Sequence, residues 1–104
     1  MARPEKIKHV LERIKYCLNT GKYILTKHAI YRHNERGINL AEILYVLRTG
    51  REEKNKSCFD ELQNTWKYAI RGKTKADEKD VRIIVAFEDD GMLVITVMYV
   101  GGGV

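Results

Sequence analysis

The sequence predicts an α+β domain, with N-terminal helices packed on one face of a small, mainly antiparallel sheet. Three observations predict it. In the first half, apolar residues recur at helical spacing, at Ile7, Val10, Leu11, Ile14, Cys17 and Leu18 and again at Ile43, Leu44 and Leu47. In the second half they alternate, as in Trp66, Tyr68 and Ile70, or run on with β-branched residues, as in Val94-Ile95-Thr96-Val97. Between two such runs, Asp90-Gly91 is a hairpin-turn dipeptide. Helices first and a strand meander after them is the order of an α+β domain.

Pro4 suits the first position of a helix, where a missing N–H costs nothing. The first helix then runs to Asn19-Thr20, and Gly21 caps it. Tyr23-Ile24-Leu25 is a short apolar run fit for an edge strand. Thr26 caps a second helix through its side-chain oxygen, and Gly37 ends that helix after Arg36. Asn39 caps a third, with Glu42 three residues on as a variant capping box and Ile38 with Ile43 as a hydrophobic staple. Gly50 closes it. Arg51 to Lys54 fits a short strand and Asn55 to Asp60 a polar loop. The strand around Trp66-Tyr68-Ile70 follows. Gly72 to Asp80 is a charged loop whose single core candidate is Ala76. Val81 to Glu88 is a strand. Met92 to Val100 is so apolar that it is expected in the middle of the sheet, covered on both faces. The expected organisation is a single domain over 1–104, with an N-terminal helical part at 1–22, a core at 23–100 and a flexible tail at 101–104.

A chain of 104 residues allows one domain with a modest core. At 44% hydrophobic and 32% charged residues, the composition is that of an ordinary globular domain. No stretch approaches the roughly 20 apolar residues a bilayer span requires. No apolar segment follows the basic N-terminus, so no secretory signal and a cytoplasmic location are expected. Cys17 and Cys58 are then expected to be free thiols. No metal is expected, since His28 and His33 are the only closely spaced ligand types. No cofactor is expected either, and no Gly-rich phosphate loop or G-x-S-x-G elbow is present.

The net charge of +5 is unevenly placed. Residues 1–50 hold ten Lys/Arg against four Asp/Glu, a balance of +6, and residues 51–104 hold nine against ten, a balance of −1. Such an asymmetry fits a polyanionic partner, nucleic acid first, and also fits a merely solubilising surface. The second helix concentrates it. His28, Arg32 and Arg36 fall at i, i+4 and i+8, with Glu35 nearly on the same face. Arginine forks fit phosphate oxygens, and histidine exchanges protons near neutral pH. Lys27 extends the basic stretch. The same pattern fits a solvated helix face with an Arg–Glu pair, or a His28 hydrogen-bonded at the helix start. Lys67 and Arg71 share one face of their strand, and Arg82 begins the next; these could line a basic groove or simply face water. Tyr99 could be a phenolic acid, a stacking surface or a packing residue.

The stretch His28-Ala29-x-x-Arg32-x-x-Glu35-Arg36-Gly37-Ile38 resembles the opening motif of domain-of-unknown-function family 4258. The resemblance continues through Leu40-Ala41-Glu42-Ile43, Leu47-x-x-Gly50, Tyr68-x-Ile70-Arg71-Gly72 and Val94-Ile95-Thr96-Val97-Met98-Tyr99, over about residues 24–100. That family is similar in architecture to the RelE/ParE-like and MqsR-like toxins of type II toxin–antitoxin pairs. The resemblance implies a metal-independent endoribonuclease acting on mRNA, free or on the ribosome, with a cognate antitoxin protein as partner. It implies His28 as base or acid, Arg32, Arg36 or Arg71 as phosphate stabilisers, and Tyr99 or Lys67 as the remaining proton-transfer group. Lys27, Arg32, Arg36, Lys67, Arg71 and Arg82 are the residues expected to contact nucleic acid. The chain departs from several RelE-like nucleases in having no histidine in its C-terminal half. That departure favours an alternative, a toxin that binds gyrase or another protein without catalysis; a further alternative is a nucleic-acid-binding accessory domain.

Overall fold

A computed structural model describes residues 3–100; Met1, Ala2 and the expected tail at 101–104 lie outside the described residues. Helix α1 spans Val10–Thr20, strand β1 Tyr23–Leu25, helix α2 Lys27–Arg36 and helix α3 Leu40–Thr49. Strand β2 spans Arg51–Glu52, and a single 3-10 turn at Lys54–Lys56 leads to β3, Cys58–Asp60. The long strands are β4 (Thr65–Lys73), β5 (Asp80–Glu88) and β6 (Gly91–Tyr99). The sheet order is β1-β6-β5-β4-β2, with β3 also paired to β4. The fold is α+β, as expected. All pairings are antiparallel except β1 with β6, which is parallel.

The first helix starts later than Pro4 suggests. The Pro4 carbonyl accepts the Trp66 indole N–H at 2.8 Å, and the Ile7 amide donates to the Tyr68 hydroxyl at 2.8 Å. Those partners hold residues 3–9 as a strap over β4 rather than as a helical turn. From Val10 onward, Val10, Ile14, Cys17 and Leu18 are buried on one stripe, and Gly21 ends the helix at φ 72°. The caps of the next two helices form as read. Thr26 accepts from the Ala29 amide, and Asn39 accepts from the Glu42 amide at 2.9 Å. The capping box is only half made, however. The Glu42 carboxylate turns away to accept the amides of Lys75 (2.6 Å) and Ala76 (3.2 Å), pinning the β4–β5 loop to α3. In that loop Thr74, not Ala76, is the buried residue. Its hydroxyl accepts the Lys79 amide and its carbonyl accepts that of Glu78, which close the loop.

Three expectations about strands also change. Residues 55–60 are not all loop: Phe59 pairs with Trp66 across the β3–β4 ladder, and their rings meet edge to face at 5.4 Å. The β5–β6 hairpin turns on Asp89 and Asp90, since Gly91 already pairs with Glu88. The most apolar strand, β6, is second from the edge and β5 is central. Nor is β6 covered on both faces. Met92, Val94 and Val97 are buried, whereas Leu93, Ile95 and Met98 are only half-buried.

The core lies on one side of the sheet. Ile14 and Cys17 of α1 and Ile43, Val46 and Leu47 of α3 close over Tyr68, Ile70, Ile83, Val85, Val94 and Val97. Helix α2 contributes Ala29 to the same cluster and runs beside β6. Beyond the three residues of β1, its side chains meet the β6 backbone: the Thr26 hydroxyl donates to the Ile95 carbonyl at 3.1 Å, and Arg36 Nη1 donates to the Val97 carbonyl. The edge β1 leaves open is therefore closed by side chains of α2.

Candidate functional site

Helix α2 has one buried residue, Ala29; Arg32, His33 and Arg36 are half-buried and the rest of the helix is exposed. Its N-terminal turn displays Lys27 and His28, both exposed, and Tyr31, 59% exposed, stands one turn on. Among the described residues His28 makes no hydrogen bond, so its imidazole is available from solvent. Arg32 is half-buried and ion-paired with Glu35 at 2.8 Å; Glu35 also accepts from the Tyr31 hydroxyl at 3.1 Å. The hydrogen bond from Arg32, and then that from Tyr31, hold the Glu35 carboxyl below its ordinary value. The Arg–Glu pairing and the exposed histidine thus coexist on one helix.

Arg36 has a different part. Its guanidinium is spent on the Val97 carbonyl, which fastens α2 to the sheet. His33, on the inner side, bonds the Ile38 carbonyl through Nδ1 at 3.0 Å and shapes the turn into α3.

The basic residues of the strands lie on the sheet face opposite the core. There Arg51, Arg71 and Arg82 stand in register across β2, β4 and β5, each directly opposite the next. Like charges so placed repel. Glu53 answers two of them. Its carboxylate takes Arg82 Nε at 2.6 Å and Arg71 Nη1 at 3.3 Å, and Arg71 Nη2 reaches Asp80 at 3.4 Å. The Arg82 hydrogen bond holds Glu53 below the ordinary carboxylate value against the opposing effect of burial, and Glu53 raises Arg82 in return. Lys67, further along β4, is paired with Asp60 at 2.7 Å. Tyr99 ends β6 opposite Val81, 39% exposed, with the Lys79 ammonium over its ring.

Apart from Arg36, fastened to Val97, and Tyr99, under Lys79, the predicted residues fall into two groups. His28, Lys27 and Arg32 form an exposed set on α2. Arg71, Arg82 and Lys67 form an ion-paired set on the outer sheet face. Glu53 and Arg51 escaped the sequence reading. The only signal for them was the acidic pair Glu52-Glu53 next to Arg51, in a stretch expected to be a strand. Among the described residues there is no cluster of three metal-ligating side chains.

A model described as a domain of unknown function, DUF4258, matches residues 25–99. The chain belongs to the DUF4258 family. No curated protein matches it. The DUF4258 segment takes in α2, α3 and the strands β2 to β6 and leaves out α1. Yet Ile14 and Cys17 of α1 are wholly buried in the same core, so α1 is an integral layer of this DUF4258 protein.

Proposed function

We propose that the chain is a metal-independent endoribonuclease toxin of a type II toxin–antitoxin pair, acting on mRNA from the exposed face of α2. The observation that carries this reading is the solvent-facing His28 with Lys27 and Arg32 beside it. Cleavage without metal joins the ribose 2′-oxygen to the adjacent phosphorus as the bond from phosphorus to the 5′-oxygen breaks. A base takes the 2′ proton, an acid supplies one to the leaving 5′-oxygen, and a cation offsets charge on the phosphoryl oxygens. In this reading His28 exchanges the proton. Arg32 releases Glu35, an exposed partner, to hold phosphate. The test is cleavage of single-stranded RNA and of ribosome-bound mRNA by the purified chain with a chelator present. His28→Ala is expected to lower the rate about 10²- to 10⁴-fold. Equal cleavage by native chain and variant removes His28 from the site, and no cleavage by the native chain on either substrate sinks the enzyme reading.

One observation favours a second reading, binding without cleavage. Arg36, Arg71, Arg82 and Lys67 are each held by a carbonyl or a carboxylate, and the C-terminal half that forms the long strands has no histidine to act with His28. A toxin that inhibits gyrase or another protein by contact needs no proton relay. Inhibition of DNA supercoiling with RNA left intact selects it.

A further inference from the structure

None of α1, α2 and α3 lies on the sheet face opposite the core, since every buried residue of theirs belongs to the cluster on the other side; Glu53, ahead of the 3-10 turn, reaches over it to Arg71 and Arg82. Ladder register places Ile24, Leu93 and Ala86 side by side on this outer face, then Thr96 and Ile84, then Met98, Arg82, Arg71 and Arg51. Ile95 is the extra residue of a bulge between the Val85–Val94 and Ile84–Thr96 pairs. Ile24 is 64% exposed, and Ile84, Leu93, Ile95 and Met98 are half-buried without joining the core. An aliphatic strip along β6 thus ends beside the row of arginines.

Beyond that row the face opens into a cleft of about 660 Å³ at the end of α3. Its cations are Arg51, Arg71, Lys73 and Lys75, against Glu78 and Asp80. Arg51, Lys73 and Lys75 have no ion-pair partner among the described residues, and Arg71 Nε is buried without a hydrogen-bond acceptor. An aliphatic strip, separated by the ion-paired Arg82 and Arg71 from cations that have no carboxylate, is complementary to a chain carrying apolar side chains followed by acids.

We propose that this outer face docks a peptide segment of a partner protein, apolar side chains lying on Ile24, Leu93, Ile95 and Met98 and carboxylates on Arg51, Lys73 and Lys75. A peptide fits better than RNA because the strip is aliphatic and offers no aromatic ring on which a base could stack; Tyr45 lines the cleft beyond it. The inference stands apart from RNA cleavage, which was assigned to α2, and holds whether or not the chain cuts RNA.

The test uses fluorescence anisotropy of the full chain with three labelled probes. They are a peptide with leucines at helical spacing followed by glutamates, the same peptide with glutamine for glutamate, and a single-stranded RNA. The glutamate peptide is expected to bind, and the glutamine peptide about tenfold more weakly. Ile24→Ser and Arg51→Ala, at exposed positions, are each expected to weaken the glutamate peptide about fivefold, whereas His28→Ala leaves it unchanged. Circular dichroism confirms that the variants fold. Failure of the native chain to bind the glutamate peptide overturns the proposal. So does binding that both variants leave intact, and so does RNA binding that Ile24→Ser abolishes, which would give this face to RNA.

Discussion

Gly50 and Gly72 meet back to back where α3 leaves the core and crosses β4. A Cβ on Gly72 would lie 3.1 Å from the Gly50 Cα, and one on Gly50 would lie 2.6 Å from the Arg71 carbonyl oxygen and 2.7 Å from that of Val46. The two glycines of the Leu47-x-x-Gly50 and Arg71-Gly72 motifs are thus one contact. It brings the end of α3 against β4 next to Arg71.

Gly50→Ala places a methyl into two backbone carbonyls that cannot step aside independently. The expected loss is about 2–3 kcal/mol in urea unfolding. Gly72→Ala meets a Cα and the Val46 Cγ1 at 3.3 Å and is expected to cost less. A Gly50→Ala chain as stable as the native one means that α3 is seated otherwise.

Glu53 makes stability depend on acid. Its folded carboxyl titrates below the ordinary value of 4.5, chiefly through Arg82. The stabilisation is therefore fully present above that ordinary value and is lost as pH falls through the lowered one. Glu53→Gln should cost about 2 kcal/mol at pH 7, by weakening hydrogen bonds to two guanidiniums. The difference between variant and native chain should shrink as pH falls below 4.5. Parallel stability curves for the two chains over that range contradict the assignment.

Arg32 and Arg36 are a matched comparison, one helical turn apart. Arg36→Ala strips the Val97 carbonyl of its donor and is expected to lose about 1–3 kcal/mol of stability. Arg32→Ala breaks an exposed pair and is expected to leave the urea midpoint unchanged while lowering RNA cleavage. Thermal melts beside a cleavage assay separate the two roles. The reverse pattern would move the phosphate contact to Arg36.

The strap over β4 can be watched through Trp66, the only tryptophan. Deleting residues 1–8 removes the Pro4 carbonyl and the Ile7 amide from Trp66 and Tyr68. Trp66 emission should shift to the red, and stability should fall by about 1–3 kcal/mol. An unshifted spectrum shows that the strap does not shield the indole.

What the sequence by itself determined is local. The order of helices and strands, the caps at Thr26 and Asn39, the stop at Gly37 and the inward residues Ile14, Ile43, Tyr68 and Ile70 all follow from spacing and turn chemistry over a few residues. So does the alignment of His28 with Arg32 on one helix face. Only the tertiary structure decided the long-range pairings, because no local period encodes them. Pro4 fits a helix start, yet Trp66 and Tyr68, some sixty residues away, claim its segment. Glu42 has the position of a capping-box partner, yet the loop at Lys75 takes its carboxylate. Arg36 matches Arg32 in type and spacing, but only the nearness of the Val97 carbonyl makes it a fastener. The cations of the second half, balanced in bulk by acids, became a row of three arginines once register set Arg51, Arg71 and Arg82 abreast with Glu53 between two of them. Composition gives the charge, but where charges stand close enough to repel, pair or receive a partner is fixed by the ladder.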